Sequence, residues 1–404
     1  MTNESIGNWG GDQTTLTQWI TVGLIVGLFF SAPLVNLFEA LLIIAVLVSP
    51  ALRERFLMCF RSPFCILAIL FFILVIVGAM YSEAPPEDSW GMVTGWRKIL
   101  VLLLGFAVVT STRHKKLLIK TFLLVGTASL LWSFLSYQCP DWLYHRNGIG
   151  IIVKNHATQG IFFSICALLC LIWAKYFTAI PRTKYLLYAL VAAFFFNLGL
   201  ITIGRSGYLA ALILIMIFTF YGMRDKGLIK QLLVTGVTGL IIVIFFLSTN
   251  TSKERIDLAV NEFTAAEHVT EGDPGSMGVR YIWWGHSLNM ISKNPIIGIG
   301  TGAFERGLEQ EIEGLTGPAA IRTNDPHNQY LKIWVEHGAI GLLIFLALIY
   351  TMLIAKQITT PFKLAGTAVL LSWCATSMAN SHFSTFHEGH FIWFWMGAML
   401  SPEK

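Results

Sequence analysis

The sequence predicts an all-α, polytopic membrane protein with about twelve transmembrane helices and one large helical loop on the outer side of the membrane. Of the 404 residues, 55% are hydrophobic and only 13% are charged, and the mean hydropathy is +0.65. A soluble domain carries roughly 25% charged residues. A chain of this length cannot bury so much apolar surface in water, so a bilayer must cover most of it.

Twelve apolar segments are candidates for membrane spans. Several are shorter than the ~20 residues that cross a bilayer, so we expect some tilted or broken helices. The predicted spans cover residues 17–32, 34–52, 63–80, 97–112, 116–136, 155–175, 184–202, 207–222, 230–248, 338–355, 363–380 and 387–402. They divide the chain into nine spans over residues 1–248, an outer loop over 249–337 and three spans over 338–404.

Lysine and arginine residues are concentrated in every second short loop, which predicts the orientation of the chain. The loops after even-numbered spans carry Arg53, Arg55, Arg61, Arg113, Lys115, Lys116, Arg182, Lys184, Arg224, Lys226, Lys230, Lys356 and Lys363. The short loops after odd-numbered spans are poor in cations, and the one over residues 82–88 is acidic. Both termini are therefore predicted to lie in the cytoplasm, and residues 249–337 outside, which is the periplasm of a Gram-negative cell.

The long outer loop contains helical patterns of its own. Residues 253–269 predict a helix at the membrane interface, and residues 277–293 predict a second one whose aromatic side chains suit that position. Residues 303–314 are acidic and predict a third helix. The loop is therefore expected to be a structured part of the protein.

The end of this loop reads Asn-Asp-Pro over residues 324–326 and predicts a helix start with proline at the first helical position. His327 is then expected in the first helical turn, where free N–H groups and the helix dipole also favour anions. Gly338 and Gly341 follow as small faces at which helices can approach closely.

The order His327-Asn328, nine residues, Gly338-x-x-Gly341 resembles the pattern of the O-antigen ligase family (WaaL). The resemblance extends to the layout of about a dozen spans with one large outer loop late in the chain. Members of that family move a polysaccharide from a polyprenyl diphosphate carrier to lipid A–core, so the resemblance implies a GT-C-like glycosyltransferase of the bacterial inner membrane. The related O-antigen polymerases and protein O-oligosaccharyltransferases share the architecture and part of the motif.

His327 is the predicted catalytic base, because glycosyl transfer needs a group that takes the proton of the attacking hydroxyl and histidine titrates near pH 7. The alternative is a histidine that only hydrogen-bonds at the start of a helix. Asn328, Glu336 and His337 are assigned to substrate binding around this base. His337 would lie ~15 Å further along a continuous helix, which favours a supporting or structural role, and Glu336 would orient a neighbour or anchor the loop.

Arg205 lies at the predicted outer end between two spans, where it breaks the charge asymmetry of the loops. A guanidinium group binds phosphate oxygens through two parallel hydrogen bonds, so Arg205 is predicted to hold a diphosphate; the alternative is contact with lipid headgroups. Arg280, in the outer loop, resembles in position a loop arginine of the ligases and receives the same role, with a solvated arginine as the alternative. Arg322 is a third candidate.

Three further basic residues, Arg146, Lys154 and His156, precede or begin the sixth predicted span at its outer edge. They are predicted to form a basic funnel for the carrier lipid, or else to face headgroups.

The last outer loop carries His382, His387, Glu388 and His390. It lacks the His-Glu-x-x-His spacing that places two ligands on one helical face, so no metal site is predicted there. The chain has no Asp-x-Asp pair and no glycine-rich phosphate loop. We therefore expect a metal-independent reaction without nucleotide or other cofactor, and no nucleic-acid partner.

The sequence thus predicts an inverting O-antigen ligase whose partners are undecaprenyl diphosphate-linked O-antigen, lipid A–core and membrane lipids. No carboxylate is obviously placed as a covalent nucleophile, which favours a single displacement. An O-antigen polymerase is the nearest alternative, although polymerases often carry two sizeable outer loops. A protein O-oligosaccharyltransferase is the next. A transporter of lipid-linked glycans fits the number of spans, but we find no internal repeat and no obvious carboxylates at the membrane midplane.

Overall fold

The structure is a computed structural model, and it describes residues 5–142, 148–248, 257, 275–356 and 359–402. Two sequence predictions fall outside these ranges: Arg146, and the interfacial helix over residues 253–269 apart from residue 257. All the regular elements in the described ranges are helices.

Sixteen α-helices follow one another along the described residues. They are α1 Ser5–Phe30, α2 Ala32–Val48, α3 Pro50–Met58, α4 Pro63–Met80, α5 Pro86–Trp96, α6 Val101–Val108, α7 Thr112–Gln138, α8 His156–Tyr176, α9 Pro181–Leu200, α10 Arg205–Gly222, α11 Leu228–Ser248, α12 Gly275–Lys293, α13 Phe304–Glu311, α14 Gln329–Leu353, α15 Thr360–Thr376 and α16 Phe386–Leu400. Serine or asparagine caps and first-turn prolines mark several of the starts, as expected for residues that satisfy or lack the first N–H groups.

Eight helices of the described residues are long and apolar enough to cross a membrane, and the bent pair of α2 and Pro50–Arg61 would make a ninth. The eight are Pro63–Met80, Pro86–Val108, Thr112–Gln138, His156–Tyr176, Pro181–Leu200, Arg205–Gly222, Leu228–Ser248 and Gln329–Leu353. The prediction of a polytopic helical membrane protein is confirmed. Each predicted apolar segment overlaps helix, but the one over residues 34–52 breaks at Ser49, where α2 and the following helix meet at 101°. The number of twelve spans stays a prediction.

Helix α16 forms the centre of the bundle, since its residues are buried from Glu388 to Leu400. It lies so close to α6 that a Cβ on Gly397 would stand 2.0 Å from the carbonyl oxygen of Leu102. Trp393 and Trp395 add large fully buried rings to the same core. A helix that is enclosed by protein on all sides need not meet lipid, and α16 has only 15 residues.

Helix α14 is broken at Gly338, whose backbone has φ 63° and ψ −167°. The backbone of residues 295–300 fills the break: the N–H of Ala339 donates to the carbonyl of Pro295 at 2.8 Å, and the N–H of Gly300 donates to the carbonyl of Glu336 at 2.9 Å. The neighbour of Gly338 is therefore non-helical backbone, which corrects the expectation of helix packing there. Gly341 does face a helix, because its Cβ would meet Leu74 of α4 at 3.3 Å.

Replacing Gly338 with alanine is expected to lower the stability of the folded protein strongly. The new Cβ would stand 2.1 Å from the carbonyl oxygen of Ile296, and a positive φ is strained for any side chain. Strain and overpacking each cost about 1–3 kcal/mol. Thermal unfolding in detergent measures the effect. Gly236→Ala is the matched control, because a Cβ on that helical glycine meets nothing within 4 Å; equal unfolding temperatures in the two variants would contradict the assignment.

Candidate active site at one end of the bundle

Three separate stretches of backbone meet at one end of the bundle: the segment before α14, the loop over residues 377–385 and the start of α10. The N–H of Gln329 donates to the carbonyl of Ser377 at 2.9 Å. The amide of Asn380 donates to the hydroxyl of Ser206 at 2.9 Å, next to Arg205 in the first turn of α10. The loop over residues 377–385 therefore connects the histidine motif to the turn that carries Arg205.

Aromatic side chains of α12 hold the segment that leads into the motif. The indole N–H of Trp283 donates to the carbonyl of Ile321 at 2.8 Å, and that of Trp284 donates to the carbonyl of Pro326 at 3.0 Å. The sequence analysis placed α12 at the membrane interface because of its aromatic residues. In the structure these side chains also fix the backbone on both sides of residues 322–325.

The helix of the motif begins three residues later than predicted, at Gln329 instead of Pro326. Asn328 is its N-cap, with extended backbone, and its Oδ1 accepts hydrogen bonds from the N–H groups of Tyr330 and Leu331 at 3.1 and 3.2 Å. Pro326 is consequently not the first helical residue, and His327 precedes the helix with a positive φ of 52°. The prediction of His327 in the first helical turn is wrong, because Asn328 caps the helix, while the Asp325 carboxylate binds Ser381 and Lys332. The side-chain oxygen of Asn328 serves this cap.

The His327 ring is half-buried and stacks on the Trp283 ring, with centroids 5.6 Å apart and planes at 28°. Burial lowers the pKa of His327 below its ordinary value. The Asp325 carboxylate and a hydrogen bond with Asn380 act in the opposite direction, whereas the positive charges of Arg280 and Lys332 lower the pKa further. The imidazole is therefore neutral at pH 7, which is the form that can accept a proton.

Asp325 connects the parts of the site. Its Oδ1 accepts from the backbone N–H of His327 and from the hydroxyl of Ser381, both at 2.7 Å, and its Oδ2 lies 3.2 Å from the Nζ of Lys332. Burial alone would raise the pKa of Asp325, but the charge of Lys332 and these hydrogen bonds outweigh it and hold the pKa below the ordinary value. Asp325 is thus a carboxylate that fixes both the His327 backbone and the loop over residues 377–385.

Sequence reasoning missed Asp325, Lys332 and Ser381. Asp325 was interpreted only as part of a helix start. The available signal was Lys332, a cation in the first turn of an apolar helix, which needs a nearby anion because it is only 5% exposed. Ser381 carried no signal, because a single serine in a loop predicts no contact.

The arginines predicted to bind diphosphate approach this end of the bundle from two helices. Arg280 on α12 is near enough to act electrostatically on both His327 and His382. Arg205 begins α10 and precedes Ser206, which is linked to His327 through Asn380. His327, Arg280 and the turn that carries Arg205 thus come from three segments of the chain that meet at this end of the bundle.

Three other predicted site residues lie away from this network. Arg322, five residues before His327, turns outwards and pairs with Glu309 of α13 at 3.0 Å, leaving its side chain 72% exposed. His337 and Glu336 are each 1% exposed, and the His337 ring packs edge-on against Phe71 of α4. In this conformation neither Glu336 nor His337 can touch a substrate that enters from outside the bundle.

A second polar cluster adjoins the first. Lys154, which has a positive φ of 33°, pairs with Glu388 of α16 at 3.3 Å, and the hydroxyl of Thr158 also donates to that carboxylate. His156 is the first residue of α8 and is half-buried. The cluster reaches the first network through His382: burial lowers the pKa of His382 to about 4, and the charges of Glu388, Lys154 and Arg280 all influence it.

His387 and His390, predicted in the last outer loop, lie instead in the first turns of α16 and have separate partners. The Nδ1 of His387 lies 3.1 Å from the carbonyl oxygen of Leu28, and the Nε2 of His390 lies 3.3 Å from a carboxylate oxygen of Glu39. Among the residues that the structure describes, no group of three or more histidine, cysteine or acidic side chains is arranged to hold a metal ion.

The fold and this site define a multi-pass helical membrane protein with a neutral histidine and several buried charges at one end of its bundle. Residues 189–346 match the model of a family described as O-antigen ligase. The matched segment includes Arg205, Arg280 and the whole histidine motif. The resemblance found in the sequence is thereby confirmed.

One curated relative carries no functional description. It is an uncharacterized protein of Haemophilus influenzae that is 27% identical over 77 residues, which make up 19% of this chain and 19% of that protein. The chain thus matches less than a fifth of the length of this relative.

Proposed function

We propose that this protein is an O-antigen ligase that transfers a glycan from undecaprenyl diphosphate to lipid A–core at the periplasmic face of the bacterial inner membrane. The proposal also places both termini in the cytoplasm and residues 249–337 in the periplasm. The observation that carries it is the neutral His327, held on Trp283 within reach of the Arg280 charge, inside the segment that matches the family. The family match supports the ligase and polymerase group as a whole, and the single large outer loop favours the ligase.

In this mechanism Arg205 and Arg280 bind the diphosphate and stabilise the negative charge that grows on it as it leaves. His327 takes the proton of the acceptor hydroxyl. The acceptor oxygen then forms its bond to the anomeric carbon while the bond from that carbon to the diphosphate oxygen breaks. One displacement inverts the configuration, and the bond already present in the donor supplies the energy. Lys154 and His156 line the approach of the carrier lipid.

Asp325 acts through other groups in this scheme. It holds the backbone of His327 and the loop over residues 377–385, and it neutralises Lys332. We therefore regard Asp325 as a positioning residue for the base. Burial and the positive charges of Arg280 and Lys332 lower the pKa of His327, and the negative charge of Asp325 opposes them, which makes His327 a stronger base.

The test is a transfer assay with the purified full-length protein in liposomes, a defined lipid-linked donor and lipid A–core. The expected product is glycan-bearing lipid A–core, with unchanged turnover in EDTA because arginines neutralise the leaving group. Elongated donor glycan would identify a polymerase, and glycosylated pilin-like protein would identify an oligosaccharyltransferase. Transport without bond formation would contradict an enzyme, and complete loss of turnover in EDTA would contradict the metal-free mechanism.

The rate of transfer is expected to depend on pH through His327. Because its pKa lies below the ordinary 6.5, the basic form persists through neutral pH, and the rate falls only as the pH drops through that lowered pKa. Arg280→Gln removes a nearby positive charge, so it should move this acidic limb to higher pH besides weakening donor binding. The control Arg306→Gln, on an exposed residue of α13, should leave the limb in place. A limb that does not move in Arg280→Gln would contradict the assignment of His327.

A further inference from the structure

A cavity of about 800 Å³ lies between α1 and α7, and nothing in the proposed mechanism uses it. Its walls are formed by Thr15, Gln18, Trp19, Thr112, Arg113, Lys116, Leu117 and Lys120. The contributing residues recur every three or four positions on each helix, so each helix presents one continuous face to the cavity. By the charge distribution of the loops, this end of the two helices is the cytoplasmic one.

The cavity has a one-sided charge. Arg113, Lys116 and Lys120 carry three positive charges, and none of its described lining residues is acidic. Within the part of the chain that the structure describes, none of the three forms an ion pair with a carboxylate. Like charges at this spacing repel each other on a helix, which costs stability unless an anion is present.

Two of these cations are held in place by aromatic rings. The Nζ of Lys116 lies 4.9 Å from the centre of the Phe177 ring, and the Nζ of Lys120 lies 5.4 Å from the centre of the Trp173 ring. Such contacts restrict the long lysine side chains without neutralising them. The charges are therefore kept beside the cavity and stay available to a ligand.

The surface that continues from the cavity indicates a lipid. Along the same face of α7, after Leu117 and Lys120, Leu124 and Leu131 are 72% and 64% exposed. Trp19 at the rim is 67% exposed, as is common for tryptophan at a membrane interface. A molecule with an anionic head and a hydrocarbon tail can contact both the cations and the exposed leucines, whereas a free anion can contact only the cations.

We propose that this groove binds the phosphate-bearing headgroup of an anionic membrane lipid in the cytoplasmic leaflet, with an acyl chain along Leu124 and Leu131. Three cations favour a headgroup with two phosphates, such as that of cardiolipin, over a singly charged one. The site lies on α1 and α7, apart from the segments that carry His327, Arg280 and Arg205. It is independent of the proposed glycosyl transfer.

The experiment compares lipid binding by the full-length protein and a variant with Arg113→Gln, Lys116→Gln and Lys120→Gln. Each protein is purified in a neutral detergent, exposed to vesicles of cardiolipin or of phosphatidylcholine, and examined by native mass spectrometry. The affinity of the variant for cardiolipin should fall about a hundredfold, because each of the three surface cations contributes about fivefold. Cardiolipin should also raise the unfolding temperature of the original protein and not that of the variant.

A matched control removes the same charge elsewhere on the predicted cytoplasmic side, through Arg182→Gln, Lys184→Gln and Lys226→Gln. This control should retain cardiolipin; an equal loss would show diffuse attraction and overturn the site. Three other results would overturn it as well. They are retention of cardiolipin by the three-cation variant equal to that of the original protein, retention of phosphatidylcholine equal to that of cardiolipin, and displacement of the lipid by excess inorganic phosphate. If the triple variant does not fold, Lys116→Gln alone should lower retention about fivefold, and unchanged retention would count against the proposal.

Discussion

Replacing His327 with alanine is expected to remove nearly all glycan transfer and to leave the protein folded. General base catalysis by a side chain contributes typically 10²–10⁴-fold to a rate, so the rate with bound donor and acceptor should fall by about that factor. The structural cost is small, because the ring is half-buried and its aromatic contact with Trp283 is worth about 0.5–1.5 kcal/mol. Single-turnover transfer and thermal unfolding of the same preparation measure the two effects separately.

The control for this prediction is His286→Ala. His286 lies on the same helix as Trp283, is also half-buried, and has its Nε2 3.0 Å from the carbonyl oxygen of Ala319. Its replacement removes one contact to the segment before the motif and no proposed catalytic group. We expect slower transfer by no more than a few fold. A wild-type rate in His327→Ala would remove the base assignment, whereas equal losses in both variants would indicate a structural role for His327.

The sequence was sufficient to predict the positions of individual helices along the chain. Hydropathy located α4 at residues 63–80, where the structure places Pro63–Met80, and the aromatic pattern predicted the helix over Gly275–Lys293 to within two residues. Such helices are predictable because their own residues carry the signal, either a continuous apolar composition or a set of interfacial aromatic side chains. The membrane placement of each helix and its orientation rest on charge distribution and remain predictions.

The sequence was insufficient where two local signals compete. Residues 324–326 and Asn328 each offer a helix start, and the structure uses Asn328, which leaves His327 outside the helix with a positive φ. A short separation in sequence was also a poor guide to distance. Arg322 is five residues from His327 and pairs with Glu309 on the surface, while Asn380, more than fifty residues away, is near enough to raise the pKa of the imidazole.

Replacing Asp325 with alanine is expected to have the largest effect on stability and to stop transfer as well. Lys332 is only 5% exposed, and without Asp325 its Nζ keeps the carbonyl oxygen of Asn324 at 3.3 Å but loses its nearest carboxylate. Breaking one side of a buried ion pair costs about 3–5 kcal/mol, because the remaining charge stays buried. The backbone N–H of His327 and the hydroxyl of Ser381 lose their acceptor in the same variant. Unfolding temperature and transfer rate should both fall.

Two further variants separate the charge of Asp325 from its hydrogen bonds. Asp325→Asn keeps an acceptor for the backbone of His327, and it removes the negative charge that raises the pKa of the imidazole. The pKa of His327 should therefore be lower in this variant. The residual transfer rate should then begin to fall only at a lower pH than in the original protein. Adding Lys332→Met should recover part of the stability, because the ammonium group that lost Asp325 is then no longer buried.

Asp225 provides the surface control for these variants, because it is 84% exposed beside Arg224. Such pairs contribute about 0–1 kcal/mol, so Asp225→Ala should leave both stability and transfer nearly unchanged. The connecting role of Asp325 would be refuted by an Asp325→Ala protein that unfolds and transfers glycan as the original does. Loss of stability with an unshifted pH limb in Asp325→Asn would instead confine Asp325 to the fold, because a positioning residue beside the base must change the titration of that base.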